Sequence, residues 1–206
     1  MEINALLEKI DERKNWIEKR RPLAPEEVKQ LDAYFRIDMT YSSNALEDAV
    51  LQLHRLFYQG IDADKAGVYR DVQVFITGTE YIPPKAKEIP VLMKAFVDEI
   101  NNDWERVHPV MLAALAHRKL VDIQPFKDGN SRTSRLLMNL ILINRGYQII
   151  IIPPVLRTEY INALKAAQRE KQPSDEAFLL LIAECEIEAQ RDFCRMFNIK
   201  PPQKNV

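Results

Sequence analysis

The feature that most constrains this chain is a helical spacing of apolar residues that persists through nearly its whole length. Leu46, Val50, Leu53 and Phe57 recur at i, i+4, i+7 and i+11, the stripe of a helix ending near Gly60. Leu6, Ile10 and Ile17 mark an earlier amphipathic helix, and Pro25-Glu26-Glu27 is a proline-plus-acid start for another that packs through Val28, Leu31 and Phe35. The pattern resumes with Ile89, Leu92, Met93, Phe96 and Ile100, and again after His108-Pro109, where Pro109 suits a first helical position and the helix runs to about Val121. A further helix opens at Gly129-Asn130-Ser131 and carries Leu136, Leu137, Leu140 and Ile141 inward. Thr158 and Ser174 are candidate N-caps for two more, the last reaching Phe197. Only five glycines in 206 residues argue against a loop-dominated chain. The expected fold is mainly α, a helical bundle.

One segment breaks the period. Between Tyr69 and Ile76, Val72, Val74 and Ile76 alternate with other side chains, and Thr77-Gly78-Thr79 supplies a turn before Tyr81-Ile82-Pro83-Pro84. This predicts one short β-hairpin, the only sheet. The Ile149–Ile152 run, stopped by Pro153-Pro154, reads as either a strand or a buried extended connector. Neither a repeat nor a long linker divides the chain, so 1–206 is expected to form a single domain.

The formal net charge is -1 with dispersed basic residues, which leaves no basic stripe and predicts no nucleic-acid partner. No apolar run approaches the roughly 20 residues that span a bilayer, and the charged N-terminal stretch lacks a signal-like apolar region. Cys185 and Cys194 lie nine apart in a helical pattern, on opposite faces, which suits a reducing compartment. A cytoplasmic location without membrane contact is the expectation.

The segment that carries chemistry runs from Gln124 to Arg135 and reads Gln-Pro-Phe-Lys-Asp-Gly-Asn-Ser-Arg-Thr-Ser-Arg. A loop that enters a helix through Gly129-Asn130-Ser131 exposes backbone N–H groups at the positive end of the helix dipole, a ready anion site. Arg132 and Arg135, three apart, share a face there and can aim their guanidinium forks at one phosphorylated ligand. Asp128 beside such a site would repel phosphate unless a divalent cation lay between, as magnesium commonly does. The same Asp-Gly-Asn-Ser composition also makes an ordinary turn and helix cap.

This segment is similar to the Fic signature His-Pro-Phe-x-Asp/Glu-Gly-Asn-Gly-Arg-x-x-Arg, matching at Pro125, Phe126, Asp128, Gly129, Asn130, Arg132 and Arg135 and departing at Gln124 and Ser131. The stretch from Val107-His108-Pro109-Val110 to His117-Arg118-Lys119-Leu120-Val121 resembles the helix that leads into the signature. Tyr69-Arg70-Asp71-Val72-Gln73-Val74 through Pro83-Pro84 resembles the family's flap hairpin. Ser42-Ser43-Asn44-Ala45-Leu46-Glu47 resembles its inhibitory helix motif Ser/Thr-x-x-x-Glu-Gly/Asn. The resemblance covers roughly residues 40 to 165, with helical extensions on both sides.

The resemblance implies a helical Fic fold that binds ATP with Mg2+ at the motif loop. Asp128 would hold the magnesium, Gly129, Asn130, Ser131 and Arg132 the phosphates, and Arg135 either the γ-phosphate or the inhibitory Glu47. Val72, Val74, Ile76 and Tyr81 of the flap would clamp a protein target by strand addition. In the family reaction a target hydroxyl is deprotonated and attacks the α-phosphorus, so that AMP stays on the protein and pyrophosphate leaves. That needs a base near neutral pH, which histidine supplies. Gln124 stands at that position and cannot accept the proton, and loss of a general base typically costs about 100- to 10,000-fold. Ser131 places a Cβ where the family's glycine lets backbone approach phosphate.

The expectation is an adenylyltransferase-like protein with impaired AMP transfer. Two alternatives stay open: a non-catalytic interaction module, and a transferase or de-AMPylase that uses another donor or works through Glu47. Glu47 also has the spacing of a capping box with Asn44. His117 reads as a packed structural histidine, His108 as a helix-start residue, and His54 as lying on an otherwise exposed face. Trp16 and Trp104 read as packing residues, the two cysteines as inert thiols, and no structural metal is expected.

Overall fold

The computed structural model describes residues 2–19 and 45–200. Its α-helices are α1 (Ile3–Glu18), α2 (Ala45–Tyr58), α3 (Ile89–Asp103), α4 (Pro109–Ile123), α5 (Asn130–Asn144), α6 (Arg157–Ala167) and α7 (Glu176–Met196). Single 3-10 turns occur at Ala63–Lys65, Ala86–Glu88 and Pro154–Leu156. The helix expected after Pro25 and the Ser42-Ser43-Asn44 part of the inhibitory-type motif lie outside the described residues.

Helix α4 is the centre, and its sequence explains why. Val110, Leu112, Ala113, Ala114, Ala116, His117, Leu120 and Val121 are all buried, so the helix is apolar on nearly every side, the pattern of a core helix. Its alanines let neighbours approach closely, and α3, α5 and α7 all pack against it. Pro109 occupies the first turn, and the His108 ring caps it by accepting from the Val110 N–H at 3.2 Å. Helix α2 lies along α5, while α1 covers α7 through Leu6, Leu7, Ile10 and Ile17. Leu137, Leu140 and Ile141 of α5 turn inward as expected, whereas Leu136 faces outward at 39% exposure.

The expected β-hairpin does not form. Among the described residues there is no strand, and no backbone–backbone hydrogen bond joins the two limbs of the flap between Val68 and Lys85. The reason lies in Pro83-Pro84. An antiparallel partner for Val72–Val74 would run through these residues, and two prolines offer no N–H to a ladder. Side chains close the flap instead. Arg70 donates to the Val72 and Pro84 carbonyls, and Gln73 Nε2 donates to the Pro83 carbonyl at 2.9 Å.

The Ile149–Ile152 segment is also extended without pairing, as a connector. Ile150 is buried and pinned in both directions by Asn139, whose amide donates to its carbonyl and accepts from its N–H. Thr158 lies inside the first turn of α6 rather than capping it, because Pro153-Pro154 start that turn earlier. Ser174 does accept from the Glu176 N–H, at 3.4 Å, as α7 begins. Trp104 is buried and Trp16 half-buried, Cys185 is a buried free thiol and Cys194 a half-buried one. None of the described helices is long and apolar enough to cross a membrane.

Candidate functional site

The loop between α4 and α5 is built from its backbone outward. Helix α4 ends at Gln124, which takes a left-handed conformation (φ 50°, ψ 58°) and turns its amide back so that Nε2 donates to the Val121 carbonyl at 2.7 Å. The side chain at the base position thus caps the helix it terminates. Phe126 is the anchor, fully buried; covering a phenylalanine side chain contributes about 1.5 to 3 kcal/mol relative to leaving it in water.

Asn130, itself buried, ties the loop shut. Its Oδ1 accepts from the Phe126 N–H at 2.8 Å and its Nδ2 donates to the Phe126 carbonyl at 2.7 Å. The Asn130 side chain is therefore spent on the loop, and only its backbone N–H remains for a ligand. Thr133 and Ser134 hydroxyls donate back to the Gly129 and Asn130 carbonyls. The N–H groups of Gly129, Asn130 and Ser131 have no protein acceptor among the described residues. Gly129 sits at φ 80°, and a Cβ there would lie 2.8 Å from Phe57 Cζ, so this position admits only glycine without a shift of the loop.

Helix α2 forms the wall beneath this loop, a role that sequence reading missed. His54 is buried rather than exposed: its ring stacks on Phe126 with centroids 3.8 Å apart and planes 4° from parallel. Its Nδ1 accepts from the Gly67 N–H at 2.8 Å, which leaves Nε2 as the protonated nitrogen, 3.1 Å from the Asp128 carbonyl. Burial holds its pKa below the ordinary histidine value. Phe57, one turn on, packs beneath Gly129 and holds the Arg132 guanidinium 4.8 Å above its ring.

The charged groups face outward. Arg132 lies 3.7 Å from the Asp128 carboxylate, both largely exposed, and Arg135 donates from Nε to the Ser131 carbonyl at 3.2 Å. Glu47, at the start of α2, accepts from the Tyr69 hydroxyl at 2.6 Å; among the described residues no ion pair joins it to Arg135. Ser131 is exposed, and the Tyr160 hydroxyl lies 3.4 Å from His117 Nε2. His117 is fully buried against Phe178, with its Nδ1 unpartnered, and burial pushes its pKa down to about 3.

Arg70 joins the flap to the loop, and its role was not legible from its neighbours. It is 4% exposed and donates to three carbonyls: Gln124 at 2.7 Å, Val72 at 2.9 Å and Pro84 at 2.5 Å. Its own N–H donates to the Pro125 carbonyl at 2.9 Å. Of the flap residues singled out from sequence, Val72 is exposed, Val74 and Ile76 are half-buried, and Tyr81 donates its hydroxyl to the Asp122 carbonyl at 3.0 Å. Tyr81 also borders a cleft of about 400 Å3 with Arg118, Asp122, Gln168 and Asp175. There Arg118 pairs with Asp122 at 2.5 Å and Asp175 at 2.9 Å, and Gln168 donates to Asp122 at 2.8 Å.

Known proteins share the fold and part of the sequence. The sequence profile of the Fic/DOC family matches residues 43–142. The chain is 42% identical over 137 residues to the protein adenylyltransferase Fic of Drosophila willistoni, a match that covers 66% of this chain and 26% of that protein. The chain thus spans about a quarter of the length of the curated relatives it matches. In fold it is similar to Fic-1 of C. elegans, with a TM-score of 0.72 at 21% identity over 96% of this chain and 74% of the other. A Fic domain containing signaling protein from Bacteroides thetaiotaomicron gives a TM-score of 0.67 at 22% identity over 96% of this chain and all of the other.

Proposed function

The chain belongs to the Fic/DOC family, and we propose that it binds Mg-ATP at the α4–α5 loop while transferring AMP to protein hydroxyls poorly or not at all. The observation that carries the reading is the convergence, at the N-terminus of α5, of three unpaired N–H groups with the exposed Arg132 and Arg135, beside a Gln124 whose amide faces its own helix. Backbone N–H groups at a helix start, two arginine forks and the positive helix end together suit a polyphosphate.

Asp128 fits a divalent cation. Its carboxylate is exposed beside the same N–H groups, and among the described residues no cluster of three acidic, histidine or cysteine ligands exists, so phosphate oxygens and water must complete the sphere. When bound, magnesium supplies charge neutralisation between Asp128 and the phosphates. The base of the nucleotide is assigned to the cleft at Tyr81, Asp122 and Gln168. From Tyr160, near Ser131, to Gln168, which caps the C-terminus of α6, is eight steps, about 12 Å at 1.5 Å per residue, the scale of a nucleotide from phosphate to base.

Neither Gln124 nor His117 can take the proton of a target hydroxyl. The Gln124 amide cannot take a proton, and His117 is buried behind Tyr160 with a pKa far below neutral. The flap, with no backbone–backbone hydrogen bond between its limbs among the described residues and with exposed Val72, Phe75 and Ile82, is the surface assigned to a protein target, bound by strand addition. Glu47, held by Tyr69 on α2, is close enough to the site to regulate it, and the single-domain organisation over 1–206 belongs to the same proposal.

The test is calorimetry with Mg-ATP together with transfer of labelled AMP in lysate. Binding is expected for the chain as given, weakened about tenfold in Arg132→Ala, and protein labelling is expected only after Gln124→His. Absence of nucleotide binding would overturn the reading.

A further inference from the structure

The geometry points to His54 as a positioning residue of the motif loop, which aims the Gly129 N–H by holding the Asp128 carbonyl. The inference rests on the nucleotide reading above and goes beyond it in assigning part of the loop's ligand geometry to α2, outside the signature.

The His54 ring makes three contacts with three separate segments. Its face stacks on Phe126, its Nδ1 receives the Gly67 N–H at the entrance to the flap, and its Nε2 reaches the Asp128 carbonyl at 3.1 Å. The first two fix the ring and its tautomer. A ring nitrogen that accepts a hydrogen bond carries no proton in neutral imidazole, so the proton is on Nε2 and Nε2 donates. The third contact is the consequential one.

In a trans peptide unit the C=O and the following N–H point in opposite directions within one plane. Holding the Asp128 carbonyl toward α2 therefore turns the Gly129 N–H away from α2. Gly129 has the left-handed conformation that lets the chain turn there, and Phe57 seals the space a Cβ would need. The Gly129 N–H is one of the three without a protein acceptor. A loop with this peptide free to flip would present the N–H in the wrong direction part of the time, and a ligand would have to select the right orientation at a cost in affinity.

A purely packing histidine would make the ring's stacking and volume the whole contribution, and side-chain substitution separates the two accounts. An asparagine amide places its oxygen where Nδ1 lies and can serve Gly67, but it stops short of Asp128. A glutamine amide extends to the Nε2 position and can donate to the Asp128 carbonyl. Phenylalanine keeps the stack on Phe126 and neither hydrogen bond.

Mg-ATP affinity by calorimetry and thermal midpoint are measured for the full chain and for His54→Gln, His54→Asn and His54→Phe. The expected result is a split. His54→Gln keeps affinity within about threefold, while His54→Asn and His54→Phe lose about tenfold or more, although the midpoints of His54→Gln and His54→Asn fall by similar amounts. Equal affinity in His54→Asn and His54→Gln, or wild-type affinity in His54→Phe, overturns the proposal.

Two measurements do not depend on nucleotide. Nitrogen NMR of the unmodified chain is expected to show His54 as the Nε2–H tautomer, and the Nδ1–H tautomer would overturn the assignment. If the unmodified chain binds no ATP, the nucleotide reading fails by itself. The positioning claim is then decided by the carbonyl-carbon NMR shift of Asp128, which reports the bond His54 makes to it, expected to move in His54→Asn and not in His54→Gln; the same shift in both overturns it.

Discussion

The motif loop and the flap leave the same helical scaffold, meet at Arg70, and solve the problem of an irregular backbone in opposite ways. In the loop, Asn130 answers both polar groups of Phe126, Thr133 and Ser134 answer Gly129 and Asn130, and His54 answers Asp128. Without an acceptor among the described residues are the N–H groups of five successive residues, Lys127 to Ser131, three of them at the helix end. In the flap, side chains secure the base through Arg70, Gln73 and Tyr81, and in its outer part the Val74 carbonyl and the Tyr81 N–H are met only by the Gln73 amide and the Thr79 hydroxyl, with no backbone partner for the N–H groups of 72 to 76 among the described residues. A loop pinned at Phe126, Asp128 and Gly129, with a run of donors left free, has a fixed geometry, which suits a small anion. An extended segment with both donors and acceptors free has the chemistry to accept another strand. Rigidity and incompleteness are thus divided between the two regions.

The largest test of this division removes the residue that both regions share. Arg70→Ala leaves the Gln124, Val72 and Pro84 carbonyls, half-buried around the guanidinium, without their donor. A loss of about 3 to 5 kcal/mol in urea unfolding is expected, together with faster proteolysis between residues 72 and 82. Unchanged cleavage there would break the claim that Arg70 secures the flap. Asn130→Ala comes next and acts on one region only. It leaves the Phe126 N–H and C=O unmet inside the core, an expected loss of about 2 to 4 kcal/mol with no change in flap proteolysis. A rise in flap cleavage would show that the two regions are not separable.

How legible these regions were in sequence follows from how local their causes are. The helices were read well because each carries its own periodicity, as in Leu46, Val50 and Leu53, all buried on α2. The motif residues were read by spacing, and Gly129, Asn130, Ser131, Arg132 and Arg135 do gather at one helix end. Asn130 was expected to reach for phosphate; its side chain instead closes the loop, which only a fold that brings it back onto Phe126 can reveal. The hairpin was misread because alternation in Val72, Val74 and Ile76 speaks for one strand, while a ladder needs donors from both, and Pro83-Pro84 lack them. His54 was misplaced for a related reason. It lies on the same stripe of α2 as Leu53 and Phe57, but the partners that bury it come from 13 and 74 residues away.

A pH experiment extends the comparison to what lies behind the loop. His117, whose Nε2 lies 3.4 Å from the Tyr160 hydroxyl, is buried neutral with a pKa near 3, whereas in the unfolded chain it titrates at about 6.5. Between these values the unfolded state binds the proton and the folded state does not, so acidification favours unfolding. Stability is expected to fall as pH drops from about 6.5 toward 3, and the His117→Gln variant should show a shallower slope over that window. Carboxylates elsewhere contribute to both proteins, so the difference between the two slopes is the quantity to measure. Equal slopes would mean that His117 is protonated in the folded state, contrary to its burial against Phe178.

The smallest expected effect is at the flap tip, and it bears most directly on incompleteness. Phe75 is 75% exposed, so Phe75→Ser should change folding stability by no more than about 0.5 kcal/mol. Hydrogen exchange on the unmodified chain should show amides 72 to 76 exchanging almost as in an unstructured peptide, while those of Phe126 and Thr133 are protected by their bonds to Asn130 and Gly129. Strong protection at 72 to 76 would require an acceptor that the flap's two limbs do not provide, and the contrast between the regions would collapse. Little protection, with Phe75→Ser neutral for stability, places the flap's exposed apolar side chains outside the folding of this chain. Their contribution is then to whatever strand the flap receives.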